Sequence, residues 1–125
     1  MSTLKVNTLQ DASGGNASTT EQISEGRVKA WVNFDGAGTV AIRDSFNISS
    51  ITDNHTGTYT ANFSSAFANV NYTAVISGGH DSNSSTPRGF ETLYNYQTGS
   101  VKFDFRDESN NETDPQVCCL NVCAS

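Results

Sequence analysis

The chain has 125 residues, of which 16% are charged, and its formal net charge is −6 at pH 7. This length suits one domain with its own core, and the seven scattered Lys and Arg residues lack the clustering that nucleic-acid phosphates require. No run approaches the roughly 20 apolar residues of a membrane-spanning helix, and the first ten residues lack the apolar core of a secretory signal peptide.

Residues 1–26 are predicted to form an extended arm. Leu4, Val6 and Leu9 have strand-like spacing, and residues 11–22 then contain no apolar side chain larger than Ala. Such a stretch buries too little surface to offset the entropy of ordering it. The arm is therefore either a frayed terminus or a docking segment whose three apolar side chains insert into a partner. We favour docking, and expect a turn or two of helix near residues 18–25, where Ser and Thr precede Glu as in a capping box.

Residues 27–125 are predicted to form the folded domain, beginning with a strand over residues 28–34. Its alternation places Val28, Ala30, Val32 and Phe34 on one face. Trp31 then lies on the opposite face, which suggests that this second face is covered by another subunit.

Four more strands are predicted from short alternating runs that end in Gly, Asn or Asp turns. They cover residues 39–43, 46–52, 58–63 and 72–77. Phe46 and Ile48 are expected to face the core, and Phe67 is expected to point inward from the loop over residues 64–71.

The longest polar loop covers residues 78–89 and carries His80, Asp81 and Arg88. Loops of about a dozen residues are usually functional or disordered. The loop is either a solvated tip or a recognition loop that contacts sugar or protein. Catalysis would need a base held by a carboxylate beside a nucleophile, and one glycine-flanked loop does not supply that geometry. We therefore predict no enzyme activity, no catalytic residue and no cofactor.

Three further strands are predicted over residues 90–96, 100–106 and 116–124. In the second of these, Val101, Phe103 and Phe105 should face inward while Lys102, Asp104 and Arg106 face outward. In the first, Phe90, Thr92, Tyr94 and Tyr96 share one side; the two tyrosines could stack on sugars, although such pairs are more often core. Eight short strands at intervals of about 8–12 residues predict an all-β fold, an antiparallel, jelly-roll-like β-sandwich.

The last strand contains three cysteines, Cys118, Cys119 and Cys123. The first two are adjacent and therefore project to opposite faces, while the last two are four residues apart, too far for a disulfide along a strand. No C-x-x-C occurs and the two histidines lie in distant loops, which argues against a metal site. The cysteines are either small buried hydrophobes or candidates for a disulfide to another chain.

Three segments carry a resemblance to a known class of proteins. They are STLKVNTLQDASGGN, KAWVNFDGAGTVAIRDSFNISSITDNHTGTYTANF and FANVNYTAVIS. Over residues 2–78 the chain resembles tail-fibre and related virion structural proteins of tailed bacteriophages, particularly cyanophage-like ones. The resemblance implies a β-rich distal domain, commonly a homotrimer, whose N-terminal segment docks onto the virion. The short length, without a fibrous shaft, and the cysteine cluster depart from that pattern.

Three functions follow as hypotheses. The first is a short tail fibre, made in the host cytoplasm, that docks to the tail baseplate through its arm or a disulfide. This fibre would attach to the host surface, with a glycan as a candidate ligand. The second is a capsid decoration protein that stabilises the head. The third, a polysaccharide-cleaving enzyme, would need a carboxylate pair in a cleft, and no loop offers an obvious one.

Overall fold

The computed structural model describes residues 1–80 and 88–125, and it confirms the all-β sandwich. The secondary structure consists of β1 (Thr8–Leu9), β2 (Ser18–Thr19), α1 (Thr20–Glu25), β3 (Val28–Asp35), β4 (Ala41–Phe46), β5 (Ile48–His55), β6 (Thr58–Phe63), β7 (Thr73–Gly79), β8 (Arg88–Tyr94), β9 (Ser100–Asp107) and β10 (Val117–Cys123). Strands β3 to β10 build the two layers of the sandwich, and β1 and β2 belong to the arm. In the described part of the chain, no helix is both long enough and apolar enough to cross a membrane.

The two layers are four-stranded antiparallel sheets. Sheet I has the strand order β4-β3-β10-β7, and sheet II has the order β5-β6-β9-β8. The chain passes from sheet I to sheet II at Asn47, whose φ of 54° reverses its direction between β4 and β5. Asn tolerates this left-handed conformation better than most residues. The Asn47 side chain also holds the corner, donating to Lys29 O and accepting from Ser65 N.

The core lies between the facing sides of the two sheets. Alternate residues of the central strands are buried there, as the period of two along a strand requires. The core comprises Ala30, Val32, Phe34, Ile48, Tyr59, Ala61, Phe63, Tyr72, Val101, Phe103, Phe105, Cys118, Leu120, Val122 and Ala124. Phe67 packs against Phe63 and Tyr72, with ring centroids 4.6 and 5.1 Å apart, so the predicted inward position of Phe67 is confirmed.

A buried polar junction connects the loop over residues 108–116, between β9 and β10, to both sheets. The Tyr59 hydroxyl lies 2.6 Å from Asp114 Oδ1 and 3.1 Å from Gly36 O, and Gly57 N donates to the same Asp114 oxygen. Burial and the neighbouring Asp114 carboxylate raise the pKa of Tyr59 far above its usual range, so the hydroxyl stays protonated. The junction fixes the end of the loop that returns beside β9, where Thr113 N donates to Phe105 O.

The arm is more ordered than its composition predicts. Strands β1 and β2 pair, and Asp11 Oδ1 accepts hydrogen bonds from Ser13 N and Gly15 N in the turn between them. The Ser13 hydroxyl also donates to Asp11 Oδ1. This bond is the largest cause of a lowered pKa of Asp11, and the backbone bonds add to it. The predicted helix is confirmed as α1, with a reciprocal capping box between Thr19 and Gln22. Local hydrogen bonds therefore order a stretch that has almost no apolar surface to bury.

The strand bounds agree with the prediction except at two corners. β6 has the predicted bounds, whereas β4 and β5 start and end later than expected and β8 starts and ends earlier. The inward orientation predicted for Phe46 is wrong. Phe46 ends β4 opposite Trp31, so both side chains lie on the outer face of sheet I, and Ile48 beyond the Asn47 corner enters the core instead.

Candidate binding surfaces

The outer face of sheet I carries three large apolar side chains, Phe46, Trp31 and Val75, that this chain leaves open. The register places Phe46, Trp31, Asn121 and Val75 side by side across all four strands. Phe46 is 55% exposed and Val75 is 64% exposed, while Trp31 between them is half-buried. The row spans about 14 Å, three inter-strand spacings. We call Phe46, Trp31 and Val75 the apolar row; the exposed Asn121 lies between Trp31 and Val75.

A groove continues the apolar row at the β4 edge of sheet I. Its volume is about 380 Å³, and Phe46 lines it together with Val28 and Phe67. Arg27 and Lys29 bring positive charge to the lining. Lys29 Nζ also donates to Ser24 Oγ at 3.1 Å, which links the groove to the end of α1. The groove therefore lies where the arm joins the folded domain.

The three cysteines are free thiols in unequal environments. Cys118 is fully buried in the core, and this burial raises its pKa to about 12. A disulfide from Cys118 to another chain is therefore excluded in the folded protein, which corrects its inclusion among the candidates. Cys119 and Cys123 are half-buried on the outer face of sheet I, beside the apolar row, and remain candidates.

The docking residues predicted in the arm are all exposed. Leu4, Val6 and Leu9 project from the arm without burial against the sandwich, and Ile23 of α1 is exposed as well. No residue of α1 is buried. The arm thus presents apolar side chains that its own chain does not cover, as the docking hypothesis requires and as a frayed terminus would also permit.

The predicted recognition loop lies largely outside the described residues. Asp81 is not among them, and Arg88 is described only as the first residue of β8, paired in register with Asp107. His80 follows β7, and its Nδ1 lies 3.1 Å from Gln116 Oε1. The loop as a recognition site stays a prediction.

The outer face of sheet II carries a charged cluster that spacing alone did not reveal. Arg106 Nε donates to Asp104 Oδ2 at 2.9 Å, and Arg106 Nη2 donates to Glu112 Oε1 at 3.1 Å. His55 Nδ1 lies 3.3 Å from the other Glu112 oxygen. Asp104 is only 6% exposed, and its Oδ1 has no hydrogen-bond partner among the residues that the structure describes.

Two exposed aromatic residues flank this cluster on the edge strand β8. Phe90 is 60% exposed and Tyr94 is 37% exposed, and their register partners are the outward-facing Arg106 and Lys102. Lys102 Nζ lies 5.7 Å from the centroid of the Tyr94 ring. Burial raises the pKa of Tyr94, and the carboxylates of Asp104 and Glu112 add to the effect. The phenol therefore remains neutral at physiological pH.

Tyr96, by contrast, lies beyond the end of β8 and packs against Tyr72 with ring centroids 5.2 Å apart. Of the two tyrosines considered as a sugar-stacking pair, only Tyr94 is on the open face. The outward positions predicted for Lys102, Asp104 and Arg106 are confirmed. Alternation did not predict that Asp104 would be buried although it faces outward, because its burial depends on tertiary neighbours.

Within the described residues, no group of three or more His, Cys, Asp or Glu side chains is arranged to hold a metal ion. Comparison with protein-family models, with characterised proteins and with solved structures gives no match for this chain. The described residues thus present two open faces, with the apolar row on sheet I and an aromatic and charged surface on sheet II.

Proposed function

We propose that this chain is a structural protein of a bacteriophage virion, a short tail fibre whose β-sandwich forms a homotrimer and attaches to the host surface. The protein acts by assembly and binding and turns over no substrate. The arm, through Leu4, Val6 and Leu9, or a disulfide from Cys119 or Cys123, fastens it to the tail baseplate. The tail-fibre role and the number of three copies derive from the resemblance of residues 2–78 to such proteins.

The observation that carries the assembly part of the proposal is the apolar row. Large apolar side chains that lie side by side on an open sheet face are typical of protein interfaces. Phe46 and Val75 are both more than half exposed, and Trp31 lies between them with room for further burial. Packing of this face against the next copy around a three-fold axis would remove all three from water.

The half-buried thiols fit the same arrangement. Cys119 and Cys123 share the outer face of sheet I with the apolar row, so a contact that covers the row brings these thiols near a neighbouring chain. The buried Cys118 takes no part. A covalent link of this kind would form after release into an oxidising environment, since cytosolic thiols are kept reduced.

The assembly test uses Val75→Asp and Phe46→Asp, which place a charge in the apolar row without disturbing the core. Ser50→Asp is the matched control, because Ser50 is exposed on the outer face of sheet II. We expect the wild type and Ser50→Asp to sediment as trimers, and the two row variants as folded monomers. Trimers in all four proteins would show that the apolar row is not the interface.

A capsid decoration protein is the alternative, favoured by the exposed apolar residues of the arm. Such a protein would also assemble and would stabilise the head without recognising a host. Quantitative mass spectrometry of the particle separates the two. A copy number near that of the major capsid protein supports decoration, and a number of a few dozen or fewer supports the fibre.

A further inference from the structure

The buried Asp104 on the outer face of sheet II calls for an explanation. Its Oδ2 accepts a hydrogen bond from Arg106 Nε at 2.9 Å, but its Oδ1 is enclosed and has no partner among the residues that the structure describes. An enclosed acceptor without a donor destabilises a fold, so such groups are rare and are often associated with function. Asp104 is therefore poised to accept one more hydrogen bond.

The surroundings of Asp104 indicate what kind of molecule could supply that bond. Thr92 is its register partner on β8, and Phe90 and Tyr94 lie two residues to either side on the same face. The two aromatic residues are about 13 Å apart along the strand, four residues at about 3.3 Å each. Lys102 Nζ lies 5.7 Å from the centroid of the Tyr94 ring. Two exposed rings thus flank a buried acceptor.

The polar groups around the rings are balanced in charge. Arg106 and Lys102 offer donors, whereas Asp104 and Glu112 offer acceptors, and all four face the same side of sheet II or its margin. A ligand rich in hydroxyl groups can both donate to and accept from such a set. A strongly anionic ligand is disfavoured by the carboxylates and by the net charge of −6.

We propose that this face of sheet II binds a neutral oligosaccharide. Sugar rings stack on Phe90 and Tyr94, and a hydroxyl between them donates to Asp104 Oδ1. Because Oδ1 is enclosed while Arg106 and Tyr94 are partly exposed, a rotamer change of one of these surface side chains opens the way to it. That the sugar belongs to a host surface rests on the proposed function, whereas the binding itself does not.

The test is saturation-transfer NMR and titration calorimetry on the full chain with maltohexaose, cellohexaose and mannohexaose, with hexagalacturonate as an acidic comparison. We expect at least one neutral hexaose to bind with a dissociation constant of about 1 mM or below and the acidic one to bind more weakly. Phe90→Ala and Tyr94→Ala should each weaken binding roughly five- to tenfold, the range typical of an aromatic contact. Phe46→Ala, an aromatic with similar exposure on sheet I, is the matched control and should leave binding unchanged.

Asp104→Asn separates a binding role from a structural one. The amide can still accept from Arg106 through its oxygen, but it then turns a donor toward the position of Oδ1. We expect unchanged or higher thermal stability together with at least fivefold weaker binding. The proposed site would be wrong if Asp104→Asn binds as tightly as the wild type, or if binding survives both aromatic truncations. It would also be wrong if none of the three neutral hexaoses binds at about 10 mM. If the protein proves not to form a trimer, or is not part of the tail, the proposed function is wrong, but the binding result is unaffected.

Discussion

Removal of the Tyr59 hydroxyl by Tyr59→Phe tests how the sandwich holds the loop over residues 108–116, between β9 and β10. The hydroxyl lies 2.6 Å from Asp114 Oδ1, and the same oxygen accepts from Gly57 N. A hydrogen bond to a charged group contributes about 1.5–3 kcal/mol, more than one between neutral groups. Phe keeps the ring contacts with Phe34 and Phe103, so little packing is lost. We expect the free energy of unfolding to fall by about 2 kcal/mol.

Tyr72→Phe is the matched control for this prediction. The Tyr72 hydroxyl lies 3.0 Å from Gln97 O and 3.0 Å from Ser100 O, both neutral acceptors. Its loss should therefore lower the free energy of unfolding by about 1 kcal/mol. Urea unfolding followed by tryptophan fluorescence measures both variants against the wild type, provided that the denaturant slope stays constant.

Equal effects of the two substitutions would refute the role of Asp114. If Tyr59→Phe destabilises the protein no more than Tyr72→Phe does, the charged junction at Asp114 contributes nothing beyond an ordinary hydrogen bond. The assignment of Asp114 as the anchor of the loop over residues 108–116 would then be wrong.

Three further predictions concern stability and covalent assembly. Gly57→Ala should lower the free energy of unfolding by about 3 kcal/mol in urea titrations, because Gly57 has a φ of +72° and a Cβ there would lie 2.7 Å from Phe105 O; an unchanged midpoint would contradict this. Burial raises the pKa of Cys118 from 9.0 to about 12, so the neutral thiol favours the fold: this stability is complete below about pH 9 and is lost as the pH rises toward 12. Urea midpoints of wild type and Cys118→Ala between pH 8 and pH 11, in reductant, should show a shallower alkaline decline in the variant, and equal declines would refute the assignment. On non-reducing gels of the oxidised assembly, any band above monomer mass should disappear in the Cys119→Ser, Cys123→Ser double variant and persist in Cys118→Ser; persistence in the double variant would exclude both thiols.

Alternation predicted most of the fold because most residues of the central strands follow it; Val28, placed on the inward face by the same rule, is instead 41% exposed and lines the groove with Phe46. In β9, Val101, Phe103 and Phe105 are buried while the residues between them face outward, so the period of two determined the face of every side chain. The helix was predictable for a similar reason, since its capping box is a local hydrogen-bond pattern between residues three positions apart.

The corners of the sandwich could not be predicted in this way. The left-handed Asn47 interrupts the alternation, so Phe46 and Ile48, which share a phase in the sequence, face opposite environments. For Asp104, alternation predicted the correct face of the sheet but not the burial of the side chain. Its outward phase was correct, but its enclosure depends on neighbours such as Arg106 and on the loop that carries Glu112, which are placed by tertiary contacts. The apolar row likewise could be recognised only from the register of four strands. In the sequence, only the outward position of Trp31 suggested that this face is covered.

Whether other copies of the chain complete sheet I can be measured by sedimentation equilibrium of the intact protein over a wide concentration range, with Trp31 fluorescence recorded in parallel. We expect a species of about 40 kDa, three copies of the 13.4 kDa chain, in which tryptophan emission shifts to shorter wavelength as the trimer forms. A single species of 13.4 kDa at the highest concentration, with tryptophan emission that does not change, would contradict it.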